Sequence, residues 1–295
     1  MSARSSRADV LAAVPTLVDE AGELDRAANR ALLTRLVDRL DGVFVAGTTG
    51  EFPALHRAER RELLEIALEV FGPDRVVAHI GAAATRDAVT LARDAVVAGA
   101  RRLAAITPYY LPVDADTVTR HFAAITEAGG DAVVYGYLFP DRTGVAADAE
   151  QFARTAAETG LAGAKLSGGA AAKLEEFVAA LPTGTPLWSG TDAALATAAR
   201  TGARGVVSAL ASAFPEPLTA LADAVAGGDA EAERTAQAEV DGVAAALGGT
   251  PQGIKYALAG LGLGTGVMRM PAPLVGAEDR ERIDRLVARA GVPVA

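Results

Sequence analysis

The strongest constraint on the fold of this chain is an alternation that repeats eight times. Short apolar or β-branched runs, each as long as a buried strand, are separated by longer segments whose apolar residues have helical spacing. We predict eight strands, at residues 10–18, 42–47, 75–81, 102–107, 132–138, 161–165, 186–190 and 203–209. Strands that alternate with helices predict a parallel sheet, because parallel neighbours need a crossover connection.

Eight strand–helix units in 295 residues favour one closed barrel over an open sheet. The open, doubly wound alternative usually has a glycine-rich phosphate loop after its first strand, where Pro15, Thr16 and Leu17 stand here. We therefore predict an α/β fold, a (β/α)8 TIM barrel in residues 1–213. Residues 214–295 are alanine-rich and helical in pattern, and we expect C-terminal helices that pack on the barrel within the same structural unit.

The composition narrows the choice of partners and of compartment. Hydrophobic residues make up 51% of the chain, yet no uncharged apolar span reaches the 18 residues that a membrane helix needs. The net charge of −9 argues against a nucleic-acid or anionic-membrane partner. There is no cysteine, and the first nine residues lack the apolar core of a secretory signal. Both observations favour a cytoplasmic protein.

Polar side chains follow several of the predicted strands. The carboxyl ends of barrel strands meet at one rim, which is where the active sites of such barrels lie. We therefore expect hydroxyls, one arginine and one lysine to converge there. These candidate residues are Thr48, Thr49, Tyr110, Tyr137, Arg142 and Lys165.

Lys165 is the candidate with the clearest chemistry. The chain has only three lysines, at positions 165, 173 and 255, and uses arginine for its other basic side chains. A lysine can lose its proton and attack a carbonyl, whereas an arginine stays charged. Burial in an apolar barrel favours the neutral amine. We therefore predict that Lys165 is a Schiff-base nucleophile.

The other candidates fit the needs of such a nucleophile. A phenol such as Tyr137 can relay protons when hydroxyls such as those of Thr48 and Tyr110 hold it. The Gly-Thr-Thr-Gly turn at residues 47–50 offers hydroxyls and backbone N–H groups to a carboxylate. Arg142 could bind a second carboxylate in a bidentate way.

Together these residues resemble the dihydrodipicolinate synthase / N-acetylneuraminate lyase family, over residues 10–273. The resemblance rests on the sequences Gly-Thr-Thr-Gly-Glu at 47–51, Thr-Pro-Tyr-Tyr at 107–110 and Tyr-x-x-Pro-x-Arg-Thr-Gly at 137–144, and on Lys165 at the expected distance beyond them. Looser matches lie at 205–208 and 255–258. The resemblance implies a barrel with three added helices and a homotetramer built as a dimer of dimers. It also implies class I chemistry on pyruvate or another 2-oxo acid and an aldehyde, with no metal or organic cofactor.

The resemblance also implies roles for single residues. Lys165 would be the nucleophile and Tyr137 the proton shuttle. Thr48 and Tyr110 would complete the relay, with Tyr110 reaching in from the neighbouring subunit. The residues implied in substrate binding are Thr48 and Thr49, which would hold the pyruvyl carboxylate, Arg142, and Val207, whose carbonyl would line the pocket.

Departures from the family pattern bear on the substrate. Leu138 stands where the family usually has asparagine, and the sequences at 52–55 and 189–192 are similar to the sugar-acid aldolase branch. We therefore expect a lyase or aldolase acting on a 2-oxo-3-deoxy sugar acid or a 4-hydroxy-2-oxo acid. Arg142 matches the synthase branch, so the alternative is a 4-hydroxy-tetrahydrodipicolinate synthase that condenses pyruvate with aspartate semialdehyde.

Two other classes remain open from the sequence. A catalytically silent barrel could bind a 2-oxo acid without turning it over. A metal-dependent aldolase would need clustered ligands, and the only histidines are His56, His79 and His121. We expect His56 and His121 on helices or their leading residues and His79 inside a strand, each in a structural role.

Overall fold

The computed structural model describes residues 7–290, and its strands form one closed barrel. Each strand pairs in parallel with its neighbours along the chain, and the first strand pairs with the last. The strands are β1 Asp9–Ala13, β2 Gly42–Val45, β3 Val76–His79, β4 Arg102–Ile106, β5 Val133–Leu138, β6 Ala164–Leu166, β7 Leu187–Ser189 and β8 Gly205–Ser208. The predicted (β/α)8 barrel is confirmed.

Alternate side chains of each strand point to opposite sides of the barrel wall. In β1, Val10 and Ala12 belong to the large buried cluster between strands and helices, whereas Leu11 and Ala13 belong to a smaller cluster inside the barrel. Leu11 lies opposite Gly42 on β2 and Val207 on β8, so β1 closes the ring. Because side chains alternate along a strand, the inward set forms a separate interior on which a site can be built.

Helices surround the barrel and start at well-defined caps. The carboxylates of Asp25, Asp114 and Asp148 each accept from the backbone N–H three residues later, at 2.9, 2.8 and 2.7 Å.

None of the helices in residues 7–290 is both long enough and apolar enough to cross a membrane. The helices are α1 Arg26–Leu36, α2 Arg57–Phe71, α3 Thr85–Val97, α4 Ala115–Gly129, α5 Pro140–Thr143, α6 Ala149–Thr159, α7 Leu174–Ala180, α8 Leu195–Thr201, α9 Glu216–Gly227, α10 Ala230–Leu247, α11 Pro251–Gly260 and α12 Ala277–Arg289.

Every strand differs from its predicted bounds at one end or both, and the differences in β1 and β6 have identifiable causes or consequences. β1 stops at Ala13 instead of residue 18, because Pro15 has no N–H to continue the ladder. Val18 forms only an isolated antiparallel bridge with Leu24. β6 runs to Leu166, so Lys165 is the middle residue of its strand, whereas the sequence placed it last.

The helices after β8 continue the packing around the barrel. α9 contacts β1 and α8 and therefore completes the eighth strand–helix unit, while α10 packs against α9 and α12, and α11 against α12. The expected boundary at residue 213 falls between the last strand and this eighth helix. The division into 1–213 and 214–295 stays a prediction, and residues 291–295 lie outside the described part of the chain.

Helices α3 and α4 are joined by a partly buried hydrogen bond, between Thr85 Oγ1 and His121 Nδ1 at 2.8 Å. Ala84 is the N-cap residue of α3, and Thr85 is the first helical residue. The His121 side chain is 1% exposed. Burial lowers its pKa to about 4, so the imidazole is neutral in the folded protein at pH 7.

Acidification from pH 7 to pH 4.5 is expected to reduce the contribution of His121 to the free energy of unfolding by up to about 3 kcal/mol. The unfolded chain takes up a proton below its ordinary pKa of about 6.5, whereas the folded chain does so only near about 4. The contribution of His121 to the free energy of unfolding is therefore fully present above the pKa of the unfolded chain, and it is lost as the pH falls toward the pKa of the folded chain. In urea unfolding, the difference in the free energy of unfolding between His121→Gln and the unaltered protein should shrink on acidification. The exposed His56 offers His56→Gln as a control for the loss of a histidine at the surface. A difference between His121→Gln and the unaltered protein that stays constant on acidification would contradict the prediction.

Candidate active site

Lys165 projects into the mouth of the barrel from the middle of β6. It lies in register between Tyr137 on β5 and Trp188 on β7, and it is 6% exposed. Its Nζ is 4.3 Å from the centroid of the Tyr137 ring and 4.7 Å from that of Phe44. Aromatic rings therefore enclose the amine and keep most bulk water away from it.

Tyr137 brings a hydroxyl network to the same place. Its side chain is 1% exposed, and its hydroxyl lies 3.1 Å from Thr48 Oγ1, in a hydrogen bond that either oxygen could donate. The edges of the Phe44 and His79 rings fix the phenol from the side, with centroid distances of 5.9 and 5.8 Å. Three of the predicted site residues, Lys165, Tyr137 and Thr48, thus lie together, as the sequence indicated.

A cleft of about 410 Å³ opens beside Thr48 and leads to solvent. One wall comes from the strand-end loops and the other from the C-terminal helices and the segment that joins α11 to α12. The barrel wall is lined by Thr48, Glu51, Phe52, Pro53, Ile106, Tyr109, Arg142 and Thr143, and the second wall by residues 249–252, 268 and 270–273.

Arg142 is an exposed cation at this cleft. It forms no ion pair within residues 7–290, and its guanidinium lies 5.8 Å from the centroid of the Phe139 ring. Its short helix α5 is tied to the loop after β6, because the Gly169 N–H donates to Asp141 Oδ2 at 2.8 Å. The cation is therefore held on the same side of the barrel as Lys165 and is free to bind an anion.

The remaining predicted substrate-binding residues, Thr49 and Val207, are not among the residues that line the cleft. Thr49 is partly buried and follows Thr48 in its turn. Val207 is 3% exposed and belongs to the cluster inside the barrel that also contains Tyr137. Their predicted contacts with a ligand stay predictions.

Tyr110 is the predicted catalytic residue that the single chain does not bring together with Lys165, Tyr137 and Thr48. Its side chain is 92% exposed, and its backbone is left-handed with a φ of 82°. The preceding Tyr109 lines the cleft instead and packs edge-on against Phe52 at 5.8 Å. A role for Tyr110 therefore depends on a neighbouring subunit, as the sequence resemblance implied, and stays a prediction.

Asp192 and Ser208 form a polar pair that the sequence analysis did not assign to the site. Ser208, at the end of β8, donates its hydroxyl hydrogen to Asp192 Oδ1. Burial raises the pKa of the Asp192 carboxyl, while the hydrogen bond from Ser208 and the charge of Lys165 act in the opposite direction. Their place after β7 and at the end of β8 is the signal that could have identified them, because that rule located the other candidates.

A buried ion pair connects the Thr48 turn to the C-terminal helices. Lys255 Nζ on α11 donates to Glu51 Oε1 at 2.5 Å and to the carbonyl oxygen of Val267 at 2.9 Å. Glu51 Oε2 accepts from the N–H of Met270 at 2.6 Å. The side chains of the pair are 1% and 2% exposed. The second wall of the cleft is thus fixed to the turn that carries Thr48.

The histidines lie where the sequence placed them. His56 caps α2, His79 lies in β3 and His121 in α4. Within the described part of the chain, no group of three or more histidine, aspartate or glutamate side chains is placed to hold a metal ion.

Comparisons with known proteins agree on one family. The model of the dihydrodipicolinate synthetase family matches residues 6–290. An uncharacterised DapA-like lyase of Halobacterium salinarum is 36% identical, over 93% of this chain and 90% of its own length. A 4-hydroxy-tetrahydrodipicolinate synthase of Streptomyces coelicolor is 35% identical, over 95% and 92%. The crystal structure of dihydrodipicolinate synthase from Aquifex aeolicus superposes with a TM-score of 0.89 at 26% identity, over 97% of this chain and 99% of that chain.

Proposed function

Since the chain belongs to the dihydrodipicolinate synthetase family and is a lyase, we propose that it makes or cleaves a carbon–carbon bond in a 2-oxo acid through a Schiff base on Lys165. Pyruvate is the proposed 2-oxo acid, and an aldehyde is its partner.

One observation carries this proposal. The single lysine of the barrel interior lies 4.3 Å from the ring of a tyrosine whose hydroxyl is hydrogen-bonded to Thr48. A nucleophile, Lys165, therefore lies beside a proton carrier, Tyr137, and the Thr48 hydroxyl orients this carrier at the mouth of the barrel. A catalytically silent barrel has no chemical need for this arrangement.

The first half of the proposed reaction forms the Schiff base. The neutral amine of Lys165 attacks the keto carbon of pyruvate, and the carbonyl oxygen takes a proton to give a carbinolamine. The carbinolamine loses water and leaves an iminium. Tyr137 supplies and retrieves the protons, and Thr48 keeps its hydroxyl aimed at the reacting oxygen. The turn at residues 47–50 binds the carboxylate of pyruvate through its N–H groups and threonine hydroxyls.

The second half forms the carbon–carbon bond. The iminium acidifies the methyl group, which loses a proton to give an enamine. The enamine carbon attacks the aldehyde carbonyl, whose oxygen takes up a proton as the iminium reforms. Water then hydrolyses the iminium, releasing the product and free Lys165. Cleavage is the same sequence in reverse.

Asp192 and Ser208 favour a hydroxylated aldehyde. They form a polar pair at the ends of the seventh and eighth units, and the charge of Lys165 acts on Asp192. Ser208 and the Leu210 N–H both bond to Oδ1 of Asp192, so the second carboxylate oxygen can accept from a hydroxyl group of a sugar acid. We therefore propose a 2-oxo-3-deoxy sugar acid or a 4-hydroxy-2-oxo acid as the substrate class.

Arg142 supports the second candidate, a 4-hydroxy-tetrahydrodipicolinate synthase. This exposed cation has no ion-pair partner within residues 7–290 and lines the cleft. A guanidinium of this kind binds a carboxylate in a bidentate way. The aldehyde would then be aspartate semialdehyde, whose carboxylate Arg142 would bind.

A screen of aldehydes with pyruvate separates the two candidates. Glyceraldehyde and glyoxylate represent the first substrate class, and aspartate semialdehyde the second, with products read by mass. We expect condensation with a hydroxylated aldehyde to be faster than with aspartate semialdehyde, by about tenfold or more in kcat/KM. An Asp192→Asn variant should reduce this preference, whereas Arg142→Gln should leave it unchanged or increase it. Faster turnover of aspartate semialdehyde would reverse the assignment, and thermal stabilisation by pyruvate without any turnover would favour a silent barrel.

The exposed Tyr110 supports an assembly of several subunits. A large aromatic side chain that is 92% exposed on a left-handed backbone is poorly explained in an isolated chain. We propose a homo-oligomer, a dimer of dimers, in which Tyr110 enters the cleft of a neighbouring subunit and extends the hydroxyl relay.

A further inference from the structure

The turn formed by residues 46–51, called the 46–51 turn below, begins and ends with an unfavourable backbone conformation. Ala46 and Glu51 both have a φ of 55°, in the left-handed region that side chains with a Cβ rarely adopt. Such conformations persist only where surrounding structure holds them. The turn lies directly at the site, because it contains Thr48, the hydrogen-bonding partner of Tyr137.

His79 holds the start of the turn. Its Nδ1 donates to the carbonyl oxygen of Ala46 at 2.8 Å, and its side chain is 2% exposed. Burial lowers the pKa of His79 well below its ordinary value, and the charges of Arg60 and Lys165 act in the same direction, so the imidazole is neutral with its proton on Nδ1. Two contacts hold His79 itself in place. Phe52 packs edge-on against its ring, with the ring centroids 4.6 Å apart, and Arg60 donates to the backbone oxygen of His79 at 2.7 Å.

Thr16 and Lys255 hold the rest of the turn. The buried Thr16 hydroxyl donates to the carbonyl oxygen of Gly50 at 2.8 Å. Lys255 donates to the Glu51 carboxylate, which also accepts from the N–H of Met270. The three side chains come from the segment after β1, from β3 and from α11, so each bond joins the turn to a distant part of the chain.

We propose that His79, Thr16 and Lys255 are positioning residues, which together hold the 46–51 turn in the shape that binds the carboxylate of the 2-oxo acid. This inference rests on the proposed function. All three side chains bond to the turn itself, at its first residue and its last two. Each of these bonds is buried, so water cannot replace it when it is lost. Removing one should loosen the turn and weaken the binding of pyruvate, while Lys165 keeps its place on β6.

Two matched pairs of variants test this inference. Thr16→Val removes the hydroxyl at nearly constant shape, and Thr16→Ser keeps it. His79→Leu removes the donor, and His79→Asn keeps an N–H near the position of Nδ1. The measurements are the KM for pyruvate, kcat, and amide hydrogen exchange of the peptide that covers residues 46–51.

Thr16→Val and His79→Leu are each expected to raise the pyruvate KM about tenfold, the equivalent of about 1.4 kcal/mol. The reason is that part of the binding energy must then order the turn. kcat should change much less than KM, and exchange of the turn amides should accelerate by a similar factor. Thr16→Ser and His79→Asn should stay close to the unaltered protein in all three measurements. If His79→Leu fails to fold, the nearly isosteric Thr16 pair supplies the same comparison.

A purely structural role would lower the melting temperature while leaving the pyruvate KM and the exchange of the turn unchanged, and that result would overturn the inference. Faster exchange without a change in KM would also overturn it, because the turn would be loosened with no consequence for binding. Failure of the proposed function looks different. Pyruvate and borohydride would then leave the unaltered protein unlabelled, and exchange in the four variants would still show whether these side chains hold the turn.

Discussion

Replacing Lys165 with arginine is expected to reduce turnover of 2-oxo acid and aldehyde by at least about a thousandfold, as loss of a covalent nucleophile does in other enzymes. The guanidinium stays protonated and cannot attack a carbonyl. Its length and charge are close to those of lysine, which is 6% exposed at the mouth of the barrel. The loss should therefore be one of chemistry more than of folding.

The measurement is trapping with pyruvate and borohydride, followed by mapping of the modified peptide. In the unaltered protein, the label should lie on Lys165 alone. Lys173 provides the matched control, because it is exposed and its Nζ only donates to the carbonyl oxygen of Ala147 at 3.1 Å. Lys173→Arg should keep both labelling and turnover. A label found on Lys173 or Lys255, or a Lys165→Arg protein that retains turnover, would refute the proposed chemistry.

Lys255→Met is expected to lower the free energy of unfolding by about 3–5 kcal/mol, the usual cost of removing one partner of a buried ion pair. The methionine fills a similar volume but leaves the Glu51 carboxylate buried without its cation. Both side chains are at most 2% exposed, so water cannot solvate the charge that remains. The carbonyl oxygen of Val267 also loses its donor.

Urea unfolding of the single and double variants separates charge from packing. Glu51→Gln combined with Lys255→Met removes both charges and should be clearly more stable than Lys255→Met alone, because two neutral side chains replace the pair. The exposed pair Arg101–Asp74, at 3.1 Å, is the control. Arg101→Met should lose no more than about 1 kcal/mol. A Lys255→Met protein as stable as Arg101→Met would show that the buried pair contributes little.

The barrel could be predicted from the sequence because its signal is local and repeated. Each strand is a short apolar run, and the order of units along the chain is the order of strands in the ring. Strand ends were less predictable. Pro15 ended β1 early, although the apolar run continues to Val18, and the apolar Leu166 extended β6 beyond the polar residue that was expected to end it.

The candidate site could be predicted in part, for a related reason. Lys165, Tyr137 and Thr48 follow the rule that polar groups collect at the carboxyl ends of strands, and the structure brings them together. Glu51 and Lys255 lie 204 residues apart, and no local pattern links a buried glutamate to a lysine of a distant helix. His79 resembles any core histidine until its bond to Ala46 is seen. Tyr110 is exposed in the single chain, and the relay predicted for it would involve another subunit.

The second wall of the cleft comes from polypeptide outside the barrel strands. Residues 268 and 270–273 lie between two outer helices, and no strand of the barrel contributes to them. Part of the cleft is thus encoded outside the stretches of polypeptide that carry Lys165, Tyr137 and Thr48. Substitutions in the outer stretch can therefore reshape the cleft while the lysine and its hydroxyl relay stay untouched.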